Sequence, residues 1–221
     1  MLEAIRLVDP GVRLYQASSS ELFGATEESP QSERTPFRPH TPYGVAKLYG
    51  HFMIASYRER YGLHASSGIV YNHESPRHPP EFVTRKVTRA AAAIKLGLEQ
   101  TLVLGDVSAT RDWGFAGDYV EAMWRMLQQD RSDDYVIATG RSRSVRELVD
   151  VAFGCCGLDP SEHVRIDEGL VRGPDPVPLV GDPAKAAEHL GWRATTSFEA
   201  MVEADLTRLR AAPPVRAAAE V

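Results

Sequence analysis

The chain has 221 residues, of which 43% are hydrophobic and 25% are charged, and its formal net charge is −5. This composition is typical of an ordinary globular protein, and the negative charge argues against a general binder of nucleic acid or of anionic membranes. No apolar run approaches the ~20 residues that a membrane span requires. The two cysteines, Cys155 and Cys156, are adjacent, which argues against a disulfide framework and favours the reducing cytoplasm.

Helical and extended patterns alternate along the chain. The predicted elements are, in order, a helix over 1–8, a strand over 12–17, a Pro-rich loop over 25–42, a helix over 42–61, a strand over 64–71, a helix over 81–96, a strand over 101–104, an extended piece around 111–113, a helix over 116–129, a strand over 134–138, a helix over 144–157, a strand over 164–166, and helices over 183–190 and 197–209. Such alternation predicts an α/β domain with a mostly parallel sheet. The Ala- and Pro-rich residues 211–221 are predicted to form a disordered tail.

Four polar side chains flank the Pro-rich loop. The first strand is followed by Ser19 and Glu21, and the next helix begins with Tyr43 and Lys47, whose spacing of four puts both on one helix face. A hydroxyl, a carboxylate, a phenol and an ammonium group together suit proton transfer beside an oxidisable alcohol. Taken singly, each has a plainer interpretation, because a glutamate at a strand end is usually a solvated surface group and Tyr–Lys pairs at this spacing are common on helix surfaces.

Further motifs follow in a fixed order along the chain. They are SSSELFG at 18–24, TPYGVAK at 41–47, YNHESPR at 71–77, LGDVSATRDWG at 104–114 with GDYVEAMW at 117–124, and Arg172 followed by DPAKA at 182–186 and LGW at 190–192. Together they resemble the GDP-mannose 4,6-dehydratase family, within the extended short-chain dehydrogenases/reductases. The resemblance implies a partial Rossmann-like parallel sheet with flanking helices and a smaller C-terminal substrate-binding lobe. Residues 1–77 would hold the C-terminal part of the Rossmann-like domain with the catalytic residues, and 78–210 the remaining sheet elements interleaved with the lobe.

The resemblance also implies a reaction. A hydride passes from C4 of the mannosyl ring of GDP-mannose to NADP, water is eliminated across C5 and C6, and the hydride returns to C6, giving GDP-4-dehydro-6-deoxy-mannose. Tyr43 would take the C4 hydroxyl proton as a phenolate, which the nearby cation of Lys47 favours. Glu21 would be the base at C5 and Ser19 would hydrogen-bond the C4 oxygen. Ser20, where dTDP-glucose enzymes have aspartate, points to the GDP-mannose type.

Binding residues follow from the same resemblance, and no metal site is predicted. Guanidinium groups suit the oxygens of a diphosphate and a ribose. The implied cofactor-binding residues are Tyr43, Lys47, His73 and Arg77, and the implied substrate-binding residues are Asn72, Val83, Lys86, Arg111 and Arg172.

One family feature is not found in the sequence. A Gly-x-x-Gly-x-x-Gly turn after an N-terminal strand normally lets the backbone approach the cofactor pyrophosphate. We therefore expect a truncated or split enzyme that lacks the N-terminal cofactor-binding portion. We also expect either a homo-oligomer or an association with a second chain, and this second chain would supply the cofactor-binding portion. Two alternatives stay open: another nucleotide-sugar dehydratase or epimerase, and a non-catalytic remnant that binds a nucleotide sugar or a partner protein.

Overall fold

The structure, a computed structural model, describes residues 1–170 and 177–211, with side chains to residue 209. Its strands are β1 (Leu14–Ala17), β2 (Ala65–Val70), β3 (Asn72–Glu74), β4 (Leu102–Leu104), β5 (Thr110–Arg111), β6 (Trp113–Phe115), β7 (Asp134–Ile137), β8 (Arg143–Ser144) and β9 (Val164–Ile166). Its helices are α1 (Leu2–Val8), α2 (Pro42–Tyr61), α3 (Val83–Lys95), α4 (Ala116–Gln128), α5 (Val145–Cys156), α6 (Pro160–His163), α7 (Ala184–Leu190) and α8 (Phe198–Ala211). Across the described ranges, no helix is long and apolar enough to cross a membrane.

Two compact units, each assembled from separate segments, make up the described chain. Among the described residues, unit 1 contains 1–73, 110–143 and 177–197. Unit 2 contains 74–109, 144–170 and α8. In unit 1, β1, β2 and β7 form a parallel sheet with β2 in the middle. All six residues of β2 are buried, as expected for a central strand that is covered on both faces.

Side chains of β2 and β7 alternate between the two faces of this sheet. On one face Val70 and Ile137 pack against buried residues of α4 and α7 and against Trp192. On the other face Ile69 and Val136 pack with residues that include Phe23, Leu48 of α2 and Leu179. The helices therefore sandwich a parallel sheet, and the α/β class predicted from the sequence is confirmed.

The Pro-rich loop is ordered around one buried glutamine. Gln31 donates from Nε2 to the Glu28 carbonyl oxygen at 2.6 Å, and its Oε1 accepts from the Tyr71 hydroxyl at 2.8 Å and from the Val180 N–H at 2.9 Å. The carboxylate of Glu33, two residues on, accepts from the Val136 N–H of β7 at 2.7 Å. Polar side chains of the loop thus bind the sheet and the segment before α7.

Unit 2 is a helical assembly with a short parallel strand pair. Helices α3, α5 and α8 pack on one another, and β4 pairs with β9. A buried carboxylate, Asp205 of α8, accepts from Arg85 and Thr88 of α3, which ties these two helices together.

Three element boundaries differ from the predictions by two residues, and several others differ by one. β1 begins at Leu14 instead of Val12, because the Val12 N–H closes a turn onto the Asp9 carbonyl oxygen at 3.2 Å. α3 begins at Val83 instead of residue 81, because the Phe82 N–H bonds the Pro79 carbonyl oxygen in a turn. α8 extends to residue 211, so the tail predicted over 211–221 starts one residue too early, and residues 212–221 lie outside the described residues.

Candidate active site

The turn after β1 presents the first two predicted catalytic side chains. The Ser18 N–H donates to the Gly68 carbonyl oxygen of β2 at 2.9 Å, which ends the pairing of the two strands. Ser19 then caps a 3₁₀ turn, and its Oγ accepts from the Glu21 N–H at 3.2 Å. Because the next two residues, Leu22 and Phe23, are fully buried, the turn is anchored in the core and holds the Glu21 side chain at the strand end.

The first turn of α2 packs directly on this turn. Thr41 caps the helix, since its Oγ1 accepts from the Gly44 N–H at 2.9 Å, and the same hydroxyl donates to Glu21 Oε2 at 3.5 Å. A Cβ at Gly44 would lie 2.7 Å from the Glu21 carbonyl oxygen, so a glycine is what allows the helix to approach this closely. The sequence predicts Thr41 as the cap, because a threonine before a proline is a recognisable signal at a helix start. Its contact with Glu21 has no such signal in the sequence.

Tyr43 and Lys47 extend from this helix start beside the turn. The Lys47 Nζ donates to the Ala17 carbonyl oxygen of β1 at 3.0 Å and lies 5.5 Å from the centroid of the Tyr43 ring. Tyr43 is 55% exposed, so its phenol is open to a ligand. The structure therefore brings Ser19, Glu21, Tyr43 and Lys47, which come from two separated stretches, to the carboxyl end of β1.

Two further predicted residues follow the neighbouring strand β2. Asn72, two residues after the end of β2 and the first residue of β3, is exposed. The His73 Nδ1 lies 2.8 Å from the Tyr71 carbonyl oxygen, and its ring stacks on Tyr119 with 5.0 Å between centroids. The ends of β1 and β2 lie side by side because the strands pair in parallel.

Arg111, also in unit 1, is followed by a buried aspartate that the sequence reasoning missed. Asp112 accepts from the Thr139 N–H and hydroxyl at 2.9 and 2.6 Å, from the Gly140 N–H at 3.0 Å and from the Gly181 N–H at 3.3 Å. Burial raises the pKa of this carboxyl, and the hydrogen bonds from Thr139, Gly181 and Gly140 oppose the rise. Asp112 thus ties Arg111 to two other loops, and no spacing in the sequence indicates those partners.

The other predicted binding residues lie in unit 2 or outside the described residues. Arg77 is exposed, Val83 is the first residue of α3, and the Lys86 Nζ donates to the Val103 carbonyl oxygen at 2.7 Å. Arg172 falls within 171–176, which the structure does not describe. Over residues 1–170 and 177–211, no three His, Cys, Asp or Glu side chains are grouped as a metal site would require.

The fold and the site together define a short-chain dehydrogenase/reductase type of α/β protein. The sheet is parallel, a hydroxyl and a carboxylate follow one strand, and a tyrosine and a lysine lie one turn apart on the next helix. Solved structures agree on the fold. The structure of RMD from Pseudomonas aeruginosa complexed with NADPH is 22% identical with a TM-score of 0.88, over 95% of this chain and 70% of that chain. The dTDP-glucose 4,6-dehydratase from Bacillus anthracis in complex with NAD is 21% identical with a TM-score of 0.83, over 95% and 65%.

The sequence comparisons narrow this class to one family. The family model described as GDP-mannose 4,6 dehydratase matches residues 1–204, and the chain belongs to that family. GDP-mannose 4,6 dehydratase 1 of Arabidopsis thaliana is 52% identical over 207 residues, which are 92% of this chain and 57% of that relative. The predicted family resemblance is confirmed, and the chain spans little more than half the length of this relative.

Proposed function

We propose that this chain carries the catalytic side chains of a GDP-mannose 4,6-dehydratase and takes part in forming GDP-4-dehydro-6-deoxy-mannose. The observation that carries the proposal is the convergence of Ser19, Glu21, Tyr43 and Lys47 at the carboxyl end of β1. Ligands of open parallel sheets bind outside this end of the strands. Membership of the family supports the substrate class.

Oxidation at C4 requires a base for the hydroxyl proton. Tyr43 takes this proton, and the Lys47 ammonium group on the same helix face stabilises the phenolate. A bound nicotinamide cofactor would supply the hydride acceptor for oxidation at C4 and the hydride donor for reduction at C6. Tyr43 and Lys47 fit the ribose end of such a cofactor, because an exposed phenol and an ammonium group are donors for ribose hydroxyls. We propose NADP for this cofactor, on the family resemblance.

Elimination requires a second base, at C5. Glu21 removes the C5 proton, which the C4 ketone has acidified, while the bond from C6 to its hydroxyl breaks and one water is lost. The Thr41 hydroxyl orients the Glu21 carboxylate, and Ser19 Oγ hydrogen-bonds the C4 oxygen. A base at this corner favours elimination over simple epimerisation, which does not need one at C5.

The substrate-binding side chains are assigned on the family resemblance. Asn72, Arg111 and Arg172 would bind the diphosphate and ribose, and Val83 and Lys86 would contact the nucleotide. His73 and Arg77 would lie at the nicotinamide end of the cofactor. The fixed ring of His73, stacked on Tyr119, suits a residue that supports a flat ligand.

We also propose that the chain works in association with a polypeptide that supplies the cofactor-binding portion. In the part of the chain that the structure describes, β1 is an edge strand with β2 beside it. Helix α4, which covers the face of the sheet that includes Tyr15 of β1, has Val120 and Trp124 59% and 62% exposed at a spacing of four. A strand edge with apolar helix residues nearby suits a partner that adds a parallel strand and a covering helix. The adjacent cysteines Cys155 and Cys156 form no disulfide within the described residues, in agreement with a cytoplasmic location.

The test combines the chain with GDP-mannose and NADP, alone and together with a separately expressed nucleotide-binding portion of a relative. The 4-keto product is followed by its absorbance in alkali, and the loss of water by mass spectrometry. Glu21→Gln should lower product formation by about 10²–10⁴-fold while GDP-mannose still raises the melting temperature. A fully active Glu21→Gln variant would refute the proposed base. A product that retains every oxygen would favour an epimerase instead, and binding without any product would favour the non-catalytic remnant.

A further inference from the structure

Helix α2 carries a buried histidine one turn after Lys47. The His51 ring is 4% exposed, with its Nδ1 3.4 Å from the Ser18 hydroxyl and its Nε2 3.7 Å from Asp134 Oδ2 of β7. The Asp134 carboxylate is itself held by both terminal nitrogens of Arg58, at 2.9 and 2.8 Å. Four polar groups therefore form a line between α2 and the sheet: Ser18, His51, Asp134 and Arg58.

The order serine, histidine, aspartate resembles a hydrolytic triad, but its burial argues against that chemistry. Ser18 is 2% exposed, so its oxygen cannot reach a substrate carbonyl. The same geometry suits an orienting role. A neutral ring with its N–H at Nε2, toward the Asp134 carboxylate, leaves Nδ1 as an acceptor for the Ser18 hydroxyl proton. Burial lowers the pKa of His51, in agreement with a neutral ring, while Asp134 opposes this effect and Arg58 adds to it.

The contact falls next to the candidate catalytic turn. Lys47 binds the Ala17 carbonyl oxygen, and His51, four residues later, contacts the side chain of Ser18. Successive turns of one helix thus hold successive residues at the end of β1. Ser19, which follows, caps the turn that carries Glu21.

We propose that His51 is a positioning residue, which accepts the Ser18 hydroxyl proton at Nδ1 and so fixes the turn that carries Ser19 and Glu21. The effect of His51 on catalysis rests on the proposed function, whereas the hydrogen bond between Ser18 and His51 does not. Ser18 and His51 are both buried, so His51 acts through Ser18 and not on a substrate.

Two substitutions separate this role from space filling. His51→Asn keeps a polar group near the position of Nδ1 but loses ring volume, whereas His51→Phe keeps the ring and loses the acceptor. If His51 positions the turn, the Phe variant is the more damaging one. If His51 only fills space, the Asn variant is the more damaging one.

Amide hydrogen exchange of the turn provides a readout that needs no substrate. The reporters are the N–H groups of Leu22 and Phe23, which bond the Ser19 and Ser20 carbonyl oxygens, and the Tyr71 N–H on the Ile137 carbonyl oxygen is the reference. We expect His51→Phe to raise the exchange rates of the two reporters about tenfold relative to the reference, a size typical of one lost hydrogen bond. His51→Asn should stay within about threefold of the native chain.

Ser18→Ala is a smaller change that tests the same bond from its other side. It should reproduce the His51→Phe effect, and the double variant should exchange no faster than either single variant, because both remove one interaction. Additive effects, or a larger effect of Asn than of Phe, overturn the proposal. Where the native chain forms product, His51→Phe must also lower kcat with little change in KM, and an unchanged kcat likewise overturns the proposal. Absence of product from the native chain, even with the separately expressed nucleotide-binding portion, refutes the proposed function and leaves the exchange test of the hydrogen bond unaffected.

Discussion

The substitution Gly44→Ala tests whether the close approach of the first turn of α2 sets the geometry of the candidate active site. A Cβ at this position would lie 2.7 Å from the Glu21 carbonyl oxygen, a backbone atom, and 3.0 Å from the Pro39 Cβ. Alanine is about 1 kcal/mol better than glycine in a helix, but relieving such a contact in a packed site costs about 1–3 kcal/mol. We therefore expect Gly44→Ala to lower the free energy of unfolding by about 1 kcal/mol.

Gly50 in the same helix provides a matched control. A Cβ there would meet Gln16 Nε2 at 3.4 Å, an ordinary contact with the end of a flexible side chain. Gly50→Ala should therefore raise the free energy of unfolding by about 0.5–1 kcal/mol. Urea unfolding of both variants, followed by circular dichroism, should place their midpoints on opposite sides of the native one. Equal stability of the two variants would refute the close approach of α2 to Glu21.

Three other predictions concern buried polar groups. Asp112→Asn should lower the free energy of unfolding by about 2–3 kcal/mol, because an amide cannot accept from all four donors; a shift below 0.5 kcal/mol in urea would contradict this. The pKa of His51 is lowered by burial, so the stability that its neutral ring contributes is present above about pH 6.5 and is lost as the pH falls through the lower folded value. The charged groups facing the ring are Asp134 and Arg58, and the difference in unfolding free energy between the native chain and His51→Phe should narrow below that pH; a constant difference would show that folding does not lower the pKa of His51. Asp205→Ala should cost about 3–5 kcal/mol by leaving the Arg85 charge unpaired, and the added change Arg85→Ala should restore part of the loss.

The fold was predictable because each strand and helix carries its own local signal. The run His64–Tyr71 is continuously apolar or small, and β2 became the buried central strand. The caps of α2 at Thr41 and Gly62 were readable, and the helix has those bounds. The predictions were wrong at element boundaries that are set by turns. Near Val12 and Phe82, a single backbone hydrogen bond closes a turn and delays the start of the next element.

The candidate site was predictable only where its residues form a motif. Glu21 and Lys47 stand in recognisable stretches, and the structure brings them to one strand end. Asp112 and His51 were not identified, because their partners lie 27 to 83 residues away along the chain. Contacts at that separation depend on strand order and helix packing, which local patterns do not specify.

One face of α2 explains how these distant residues become a site. Gly44 packs on the Glu21 carbonyl oxygen, Lys47 binds the Ala17 carbonyl oxygen and His51 contacts Ser18, at spacings of three and four along the helix. Arg58, seven residues after His51, reaches Asp134 and the Ala65 carbonyl oxygen at the start of the other two strands. The face that holds β1 at its carboxyl end therefore also holds β2 and β7 at their amino ends.

A different face of α2 carries exposed apolar residues. Val45, Tyr49 and Phe52 are each more than half exposed and follow one another at spacings of four and three. Substitutions at Val45 or Tyr49 should leave the catalytic turn unchanged, whereas substitutions at Gly44 or His51 should disturb it. Phe52 differs from the other two, because its ring lies 6.0 Å from the His51 ring. The helix thus places the residues that build the site and the exposed Val45 and Tyr49 on different faces, because its period is 3.6 residues.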